Sequence, residues 1–203
     1  RRLRALPLLA AASLLGLTAC SGAAVAVNSS ASADSSTASS ATERPQVVVT
    51  YAVLAAVVSE VVGDAADVTV LMPNGADPHE WSPSAKDIET MLNADLVIDN
   101  GLGLEGNLQD PLKEAAAQGV SVFTVSDHIT IRTVKAGEGA EVDDPDQAPG
   151  AQDPHLWMDP LTMKQWVGPL VPALQAVGID AADSGTAVEA ELDALNAEVA
   201  TIL

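Results

Sequence analysis

Two of the three histidines in this sequence occur within the same five-residue frame, Asp-Pro-His-x-Trp. The frames are Asp77-Pro78-His79-Glu80-Trp81 and Asp153-Pro154-His155-Leu156-Trp157. Imidazole nitrogen is a common ligand for zinc and suits other divalent transition metals. One frame alone is better explained as a turn motif, with a capping histidine and a tryptophan in the core. Recurrence of the frame favours a shared metal site in which His79 and His155 supply half of a four-ligand shell.

The residues around the two histidines are predicted to support such a site. In each frame a proline restricts the backbone just before the histidine. Trp81 and Trp157 are expected next to the ligands, where an indole could shield a metal from water. Glu80 is expected either next to the site or facing solvent. These three residues are therefore candidate second-layer positions around the metal.

Other polar residues fit structural roles better than a chemical one. His128 follows a predicted strand, and we expect it at the surface or at a cap, outside the metal cluster. Asp99, Asn100 and Gly101 are predicted to form a tight turn, and Glu105 begins the next segment. We interpret these residues as part of the architecture.

The segments that must position the frames alternate between short β-branched runs and helical patterns. This alternation predicts an α/β lobe with a mostly parallel sheet flanked by helices. The predicted strands are Gln46 to Val49, Val68 to Met72, Leu96 to Ile98 and Val120 to Val125. The predicted helices are Tyr51 to Val62, a segment capped by Ser84 with Asp87 three residues later, and Pro111 to Gln118. Both frames fall in predicted loops, and ligand sites in open α/β sheets lie at the C-terminal edge of the strands.

The second half of the chain begins with an acidic loop. Residues 135–152 contain Glu138, Glu141, Asp143, Asp144 and Asp146 but no histidine, and they are broken by Gly and Pro. The loop could capture cations weakly, although a solvated loop is the preferred interpretation. Leu161 to Val177 has a helical pattern that Pro169 and Pro172 interrupt. Ala181 to Leu203 is predicted to be a longer helix, with apolar residues at spacings of three and four.

Composition limits the classes of partner. The chain of 203 residues has a formal net charge of −19, so nucleic acid is a poor partner and a cationic ligand suits the surface field better. Its hydrophobic content of 48% is enough to form a core. A single cysteine excludes an internal disulfide framework and a cysteine-rich zinc module.

The N-terminal region is typical of a secreted lipoprotein. Residues 1–20 combine three arginines with a short apolar run and end in Leu17-Thr18-Ala19-Cys20, which resembles a bacterial lipobox. Cys20 is the predicted lipidation site, and an ordinary secretory leader is the alternative. Residues 21–45, rich in Ser and Ala, are predicted to be a flexible tether. We expect the sequence to be truncated at both ends.

Three segments taken together resemble the zinc/manganese solute-binding lipoproteins (cluster A-I type) of bacterial ABC importers. They are Pro73-Asn74-Gly75-Ala76-Asp77-Pro78-His79-Glu80-Trp81-Ser82-Pro83-Ser84, Ala94-Asp95-Leu96-Val97-Ile98-Asp99-Asn100-Gly101-Leu102-Gly103-Leu104-Glu105 and Asp153-Pro154-His155-Leu156-Trp157-Met158-Asp159-Pro160.

The resemblance implies a two-lobed α/β protein that holds the metal between its lobes. It places the N-terminal lobe at residues 46–180, with His79 and His155 as its two ligands, and the start of a linking helix at 181–203. The remaining two ligands would lie beyond Leu203, in a second lobe that this sequence lacks. The implied cargo is Zn²⁺ or Mn²⁺, and the implied partner is the ABC permease. The protein would be a monomer, lipid-anchored through Cys20 to the outer face of the cell membrane.

Two other functions remain open from the sequence. A metal-dependent hydrolase would use a histidine-based zinc site, but such sites need three protein ligands and a general base. The sequence has no His-Glu-x-x-His helix and no nucleophile elbow, so no enzymatic activity is expected. A surface adhesin with a role in cell adhesion would have the same fold. Transport of a metal ion is the preferred interpretation.

Overall fold

The computed structural model describes residues 43–138 and 145–202. The predicted leader, Cys20 and the tether up to residue 42 lie outside the described residues, as do Glu141, Asp143, Asp144 and Leu203.

A four-stranded parallel sheet forms the centre of the described chain. Its strands are β1 (Gln46–Val49), β2 (Asp67–Val70), β3 (Leu96–Asp99) and β4 (Ser121–Thr124), in the order β2-β1-β3-β4. Val48 pairs with Thr69 on one side and with Val97 on the other, and Val97 pairs with Val122. All three pairings are parallel, so the α/β class and the parallel sheet are confirmed.

Helices cover both faces of the sheet. Alternate strand residues point to opposite sides, so side chains of the sheet can pack against helices on either face. The helices are α1 (Ala52–Val62), α2 (Ala85–Leu92), α3 (Gln109–Ala117), α4 (Pro160–Ala176) and α5 (Ala182–Ile202). The larger core cluster joins α1, α4 and the start of α5 to strand residues such as Val47, Ile98 and Phe123. A smaller cluster joins Met91 of α2 and Leu108 to Val48 and Val97 on the opposite face. The central strands β1 and β3 therefore lie between two packed layers.

Helix α4 runs through both prolines that were expected to interrupt it. A proline inside a helix removes one backbone hydrogen bond and clashes with the preceding turn. Here Met163, Trp166, Val167, Leu170 and Leu174 form a buried stripe along α4. Burial of this stripe holds the helix together despite the prolines, which the local pattern could not show.

The capping box at the start of α2 is present as predicted. The Ser84 side chain accepts a hydrogen bond from the Asp87 backbone, and the Asp87 carboxylate accepts one from the Ser84 backbone at 2.8 Å. Helix α5 is buried at Gly185 and Val188 but exposes Leu195 and Ile202. None of the helices within 43–138 and 145–202 has the length and apolar character needed to cross a membrane.

Candidate metal centre

The two Asp-Pro-His-x-Trp frames share one backbone contact at the histidine. In the first frame the His79 backbone N–H donates to Asp77 Oδ1 at 2.9 Å. In the second, the His155 backbone N–H donates to Asp153 Oδ1 at 3.1 Å. An aspartate that accepts from the backbone two residues later forms an Asx turn. Each aspartate therefore forms a turn, which agrees with the interpretation of a single frame as a turn motif.

The structure also brings the two histidine rings together. The ring centroids of His79 and His155 lie 5.8 Å apart, with the ring planes inclined by 58°. Two imidazoles bound to one tetrahedral zinc through bonds of about 2.0–2.1 Å have centroids about 5 Å apart. The observed centroid separation is within about one ångström of that value. That the rings approach each other is shown, and their role as metal ligands stays a prediction.

The His155 ring is held by a carboxylate from its own frame. His155 Nδ1 lies 2.8 Å from Asp153 Oδ1, and Arg132 Nη1 donates to Asp153 Oδ2 at 2.6 Å. Partial burial acts to raise the pKa of Asp153, but hydrogen bonds from the His155 backbone, the His155 ring and Arg132 outweigh it and lower the pKa. An ionised Asp153 favours a proton on His155 Nδ1 and leaves the lone pair on Nε2.

The other Arg132 contact leads into the acidic loop. Arg132 Nη2 donates to Glu138 Oε2 at 2.8 Å, so one guanidinium links Glu138 to Asp153 and, through it, to His155. From the far end of the same loop, Asp146 Oδ2 lies 3.5 Å from His79 Nδ1. Asp146 therefore contacts a histidine ring directly, and Glu138 is linked to the other ring through Arg132 and Asp153.

The two tryptophans of the frames have different surroundings. Trp157 packs edge-on against the His155 ring, with centroids 5.4 Å apart, and against Tyr51 at 5.2 Å. Trp81 is half-buried against both core clusters, and its backbone carbonyl accepts from Asn107 at 3.1 Å. Trp157 thus walls one side of His155, whereas Trp81 fixes the first frame to the core. The predicted second-layer positions of both tryptophans remain proposals.

Glu80 and His128 stand apart from the ring pair. Glu80 is exposed, and its carboxylate makes no hydrogen bond or ion pair among the described residues. His128 lies on a short turn after β4 and stacks on Phe123, with ring centroids 4.4 Å apart and planes 7° from parallel. Within the described part of the chain, no group of three or more His, Cys, Asp or Glu side chains is placed to hold a metal ion.

A buried polar network anchors the second frame to the sheet. Asn100, which follows β3, is fully buried, and its Nδ2 donates to the carbonyl of Pro154 at 2.9 Å. Its Oδ1 accepts from the Tyr51 hydroxyl at 2.7 Å. Glu105 Oε1 accepts from the Asn100 backbone at 3.0 Å and from the Thr50 hydroxyl at 2.6 Å. The residue just before His155 is therefore tied to the ends of the two central strands.

Burial changes the acid–base properties of this network. Desolvation raises the pKa of the Glu105 carboxyl and of the Tyr51 phenol, whose neighbour Glu105 adds to the rise. Desolvation also raises the pKa of Asp99 to about 7, and the hydrogen bond from Thr124 opposes that rise. The sequence indicated an architectural role for Asp99, Asn100 and Glu105 but not the hydrogen bond to Pro154. The available signal was a pair of polar residues where each of two apolar strands ends, at Thr50-Tyr51 for β1 and at Asp99-Asn100 for β3.

Several proteins of known description are similar to this chain. A putative metal-binding protein of Thermotoga maritima is 36% identical over 124 residues, covering 61% of this chain and 37% of that protein. The manganese-binding lipoprotein MntA of Halalkalibacterium halodurans is 29% identical, covering 60% and 36% respectively. The metal ABC transporter substrate-binding lipoprotein SsaB of Streptococcus sanguinis is 30% identical, covering 72% and 44%. The chain thus spans less than half the length of these curated relatives.

Solved structures agree with the fold. A zinc-bound ZnuA deletion mutant superposes with a TM-score of 0.65 at 25% identity, covering 79% of this chain and 59% of the other. The periplasmic zinc binding protein TroA from Treponema pallidum gives a TM-score of 0.58 at 25% identity, covering 77% and 54%.

The family model described as zinc-uptake complex component A, periplasmic (ZnuA) matches residues 47–203. The match begins at the second residue of β1 and includes both histidine frames. The resemblance to metal-binding lipoproteins of ABC importers is thereby confirmed. Because the match extends over more than half of the sequence, the chain belongs to the ZnuA family.

Proposed function

We propose that this chain is the metal-capturing lobe of an extracytoplasmic solute-binding protein of an ABC importer. It binds a divalent transition metal, Zn²⁺ or Mn²⁺, as cargo and delivers the ion to the permease in the membrane. The observation that carries this proposal is the approach of the His79 and His155 rings to 5.8 Å from two matching frames far apart in the sequence. Membership of the ZnuA family supports the same function.

The site is proposed to be completed by residues outside this sequence. His79 and His155 supply two neutral nitrogen ligands, and a four-coordinate ion needs two more donors. The curated relatives extend well beyond the matched region, which leaves room for a second lobe beyond Leu203. In this arrangement residues 46–180 are the first lobe, α5 begins the link between the lobes, and the protein acts as a monomer.

The identity of the metal depends on those missing ligands. The relatives are described as binding manganese or as belonging to iron and metal transporters, and TroA is described as zinc binding. Zinc binds most nitrogen and oxygen sites more tightly than manganese does, whatever the biological cargo. The descriptions of these relatives as binding proteins support a binding role rather than catalysis, and no observation favours a hydrolase or an adhesin.

Metal titration of the complete protein tests the site. Zinc and manganese affinities would be measured by competition with a fluorescent chelator for the wild type and for His79→Ala and His155→Ala. Each variant should bind zinc about 100-fold more weakly or worse, since losing a ligand costs more than losing an outer-layer partner. His128→Ala is the matched control and should bind as the wild type does. Unchanged affinity in His79→Ala or His155→Ala would contradict the proposal.

Delivery and anchoring need separate measurements. Transport into vesicles that contain the permease should require the wild-type protein and fail with His155→Ala. The lipid anchor is proposed from Leu17-Thr18-Ala19-Cys20 and from relatives described as lipoproteins. Cys20→Ala should release the protein from the membrane fraction or leave it unprocessed, and unchanged fractionation and processing would refute the anchor.

A further inference from the structure

A single short turn of the acidic loop lies against both histidine rings. The turn is the 3-10 segment Pro145–Gln147. Asp146 Oδ2 lies 3.5 Å from His79 Nδ1, and the side-chain amide nitrogen of Gln147 lies 3.4 Å from His155 Nδ1. Two consecutive residues thus contact two rings that come from different parts of the fold.

Backbone hydrogen bonds fix the position of this turn. The Gly150 N–H donates to the Val134 carbonyl at 2.8 Å, and the Val134 N–H donates to the Ala151 carbonyl at 2.9 Å. Val134 is itself buried, and the neighbouring pair Thr133 and Gln152 forms an antiparallel bridge. The Ala151 N–H donates to the Ala148 carbonyl at 2.9 Å, which continues the connection towards the turn. Asp146 is therefore presented by an anchored segment.

The two histidines differ in what their own frames provide. Asp153 contacts both the backbone and the ring of His155. Among the described contacts, Asp77 reaches the backbone nitrogen of His79 but not its ring. Histidines that bind a metal usually donate their other ring N–H to a carboxylate, a carbonyl or water. Asp146 gives the His79 ring the carboxylate neighbour that the His155 ring obtains from Asp153.

We propose that Asp146 is a positioning residue for metal binding, which holds the His79 ring with Nδ1 facing the loop and Nε2 available to the ion. This inference rests on the proposed function, because it assigns a role beside a proposed ligand. At 3.5 Å the contact is longer than a good hydrogen bond, so its effect lies at the low end for outer-layer partners. Asp146 itself does not bind the ion.

The test compares variants of the complete protein by zinc affinity and by NMR. Asp146→Ala should weaken zinc binding about 10-fold, the lower end of the range for outer-layer partners. Asp146→Asn keeps an oxygen acceptor and should stay within about 3-fold of the wild type on the same scale. Glu80→Ala is the control, because it removes the same charge one residue from His79 without removing a side-chain contact to a described residue, and it should change affinity less than Asp146→Ala.

The spectroscopic measurement is made without metal. Long-range nitrogen–proton spectra of the imidazoles should show the His79 proton on Nδ1 in the wild type and a mixture of tautomers in Asp146→Ala. His155 should keep its proton on Nδ1 in both proteins, because Asp153 is unchanged. This pattern would show that Asp146 orients one ring specifically.

Three results would overturn the proposal. The first is wild-type zinc affinity in Asp146→Ala while His79→Ala still loses binding, a result that leaves the proposed function standing. The second is an effect of Asp146→Asn equal to that of Asp146→Ala, which would mean that the negative charge, and not an oxygen acceptor beside His79 Nδ1, supports zinc binding. The third is zinc affinity unaffected by His79→Ala, which would remove the proposed function along with the positioning role.

Discussion

Asn100→Ala tests whether the buried network both stabilises the lobe and positions His155. Asn100 is fully buried, and its side chain makes hydrogen bonds with the Tyr51 hydroxyl and with the Pro154 and Gly101 carbonyls. Alanine would leave the Tyr51 hydroxyl buried without this partner, whereas the Pro154 carbonyl keeps a hydrogen bond from the Leu156 N–H at 2.9 Å. An unsatisfied buried group costs about 1–3 kcal/mol and each further lost hydrogen bond about 1 kcal/mol, so the free energy of unfolding should fall by about 2–4 kcal/mol. Urea unfolding monitored by circular dichroism measures this change.

The same substitution should weaken metal binding, because Pro154 directly precedes His155. Losing an outer-layer partner of a metal ligand typically costs about 10-fold or more in affinity. Tyr51→Phe is the matched control, since it removes one hydrogen bond from Asn100 but keeps the bond to Pro154 and the ring packed on Trp157. It should lower the free energy of unfolding by about 1–2 kcal/mol and leave zinc affinity unchanged.

Two outcomes would refute the reasoning about Asn100. A loss of unfolding free energy below about 1 kcal/mol would mean that water or a rearranged partner satisfies the released groups. A large loss of stability with wild-type zinc affinity would mean that the Asn100–Pro154 bond stabilises the lobe without positioning the histidine.

Two further predictions concern charged groups near the site. Burial raises the pKa of Asp99 to about 7, so the folded state holds more protons than the unfolded state and stability should fall as the pH rises from about 4 to about 7. Asp99→Asn should remove this component, which is at most about 4 kcal/mol, and a difference from the wild type that does not grow with pH in urea unfolding would refute it. Arg132→Ala should raise the pKa of Asp153 towards its ordinary value and reduce zinc affinity by a few-fold, with Asp153→Ala as the stronger comparison. Greater weakening by Arg132→Ala than by Asp153→Ala would show that Arg132 also acts other than through Asp153.

Local patterns were sufficient to predict most of the fold. Short β-branched runs located all four strands to within three residues, and the Ser84–Asp87 pair located the start of α2. The strand order β2-β1-β3-β4 could not be predicted in this way, because it depends on pairings between distant segments. The continuity of α4 through Pro169 and Pro172 could not be predicted from the local pattern either, because it depends on packing of the buried face that contains Trp166.

The approach of His79 and His155 was predictable from the sequence, but the residues that hold them in place were not. The repeated frame has a local cause, since both aspartates cap the backbone of the histidine two residues later. That shared turn alone does not imply a metal, and the argument for one comes from the approach of the two rings. The two frames also differ in a way that their sequences do not show. Among the described contacts, Asp153 contacts the ring of its histidine and Asp77 does not.

The supporting residues share a physical property that explains why they are hard to identify from sequence. Asp99, Asn100 and Glu105 are buried polar side chains at the end of an apolar strand, where an apolar residue would pack without desolvating a carboxyl group. The raised pKa values of Asp99 and Glu105 show that burial disfavours their ionised forms. The cluster provides hydrogen bonds with defined directions. Glu105 accepts one from the Asn100 backbone, and the Asn100 side chain donates one to the carbonyl of Pro154, beside His155. The desolvation cost of these polar side chains at the strand end is therefore linked to the fixed position of Pro154, directly before His155.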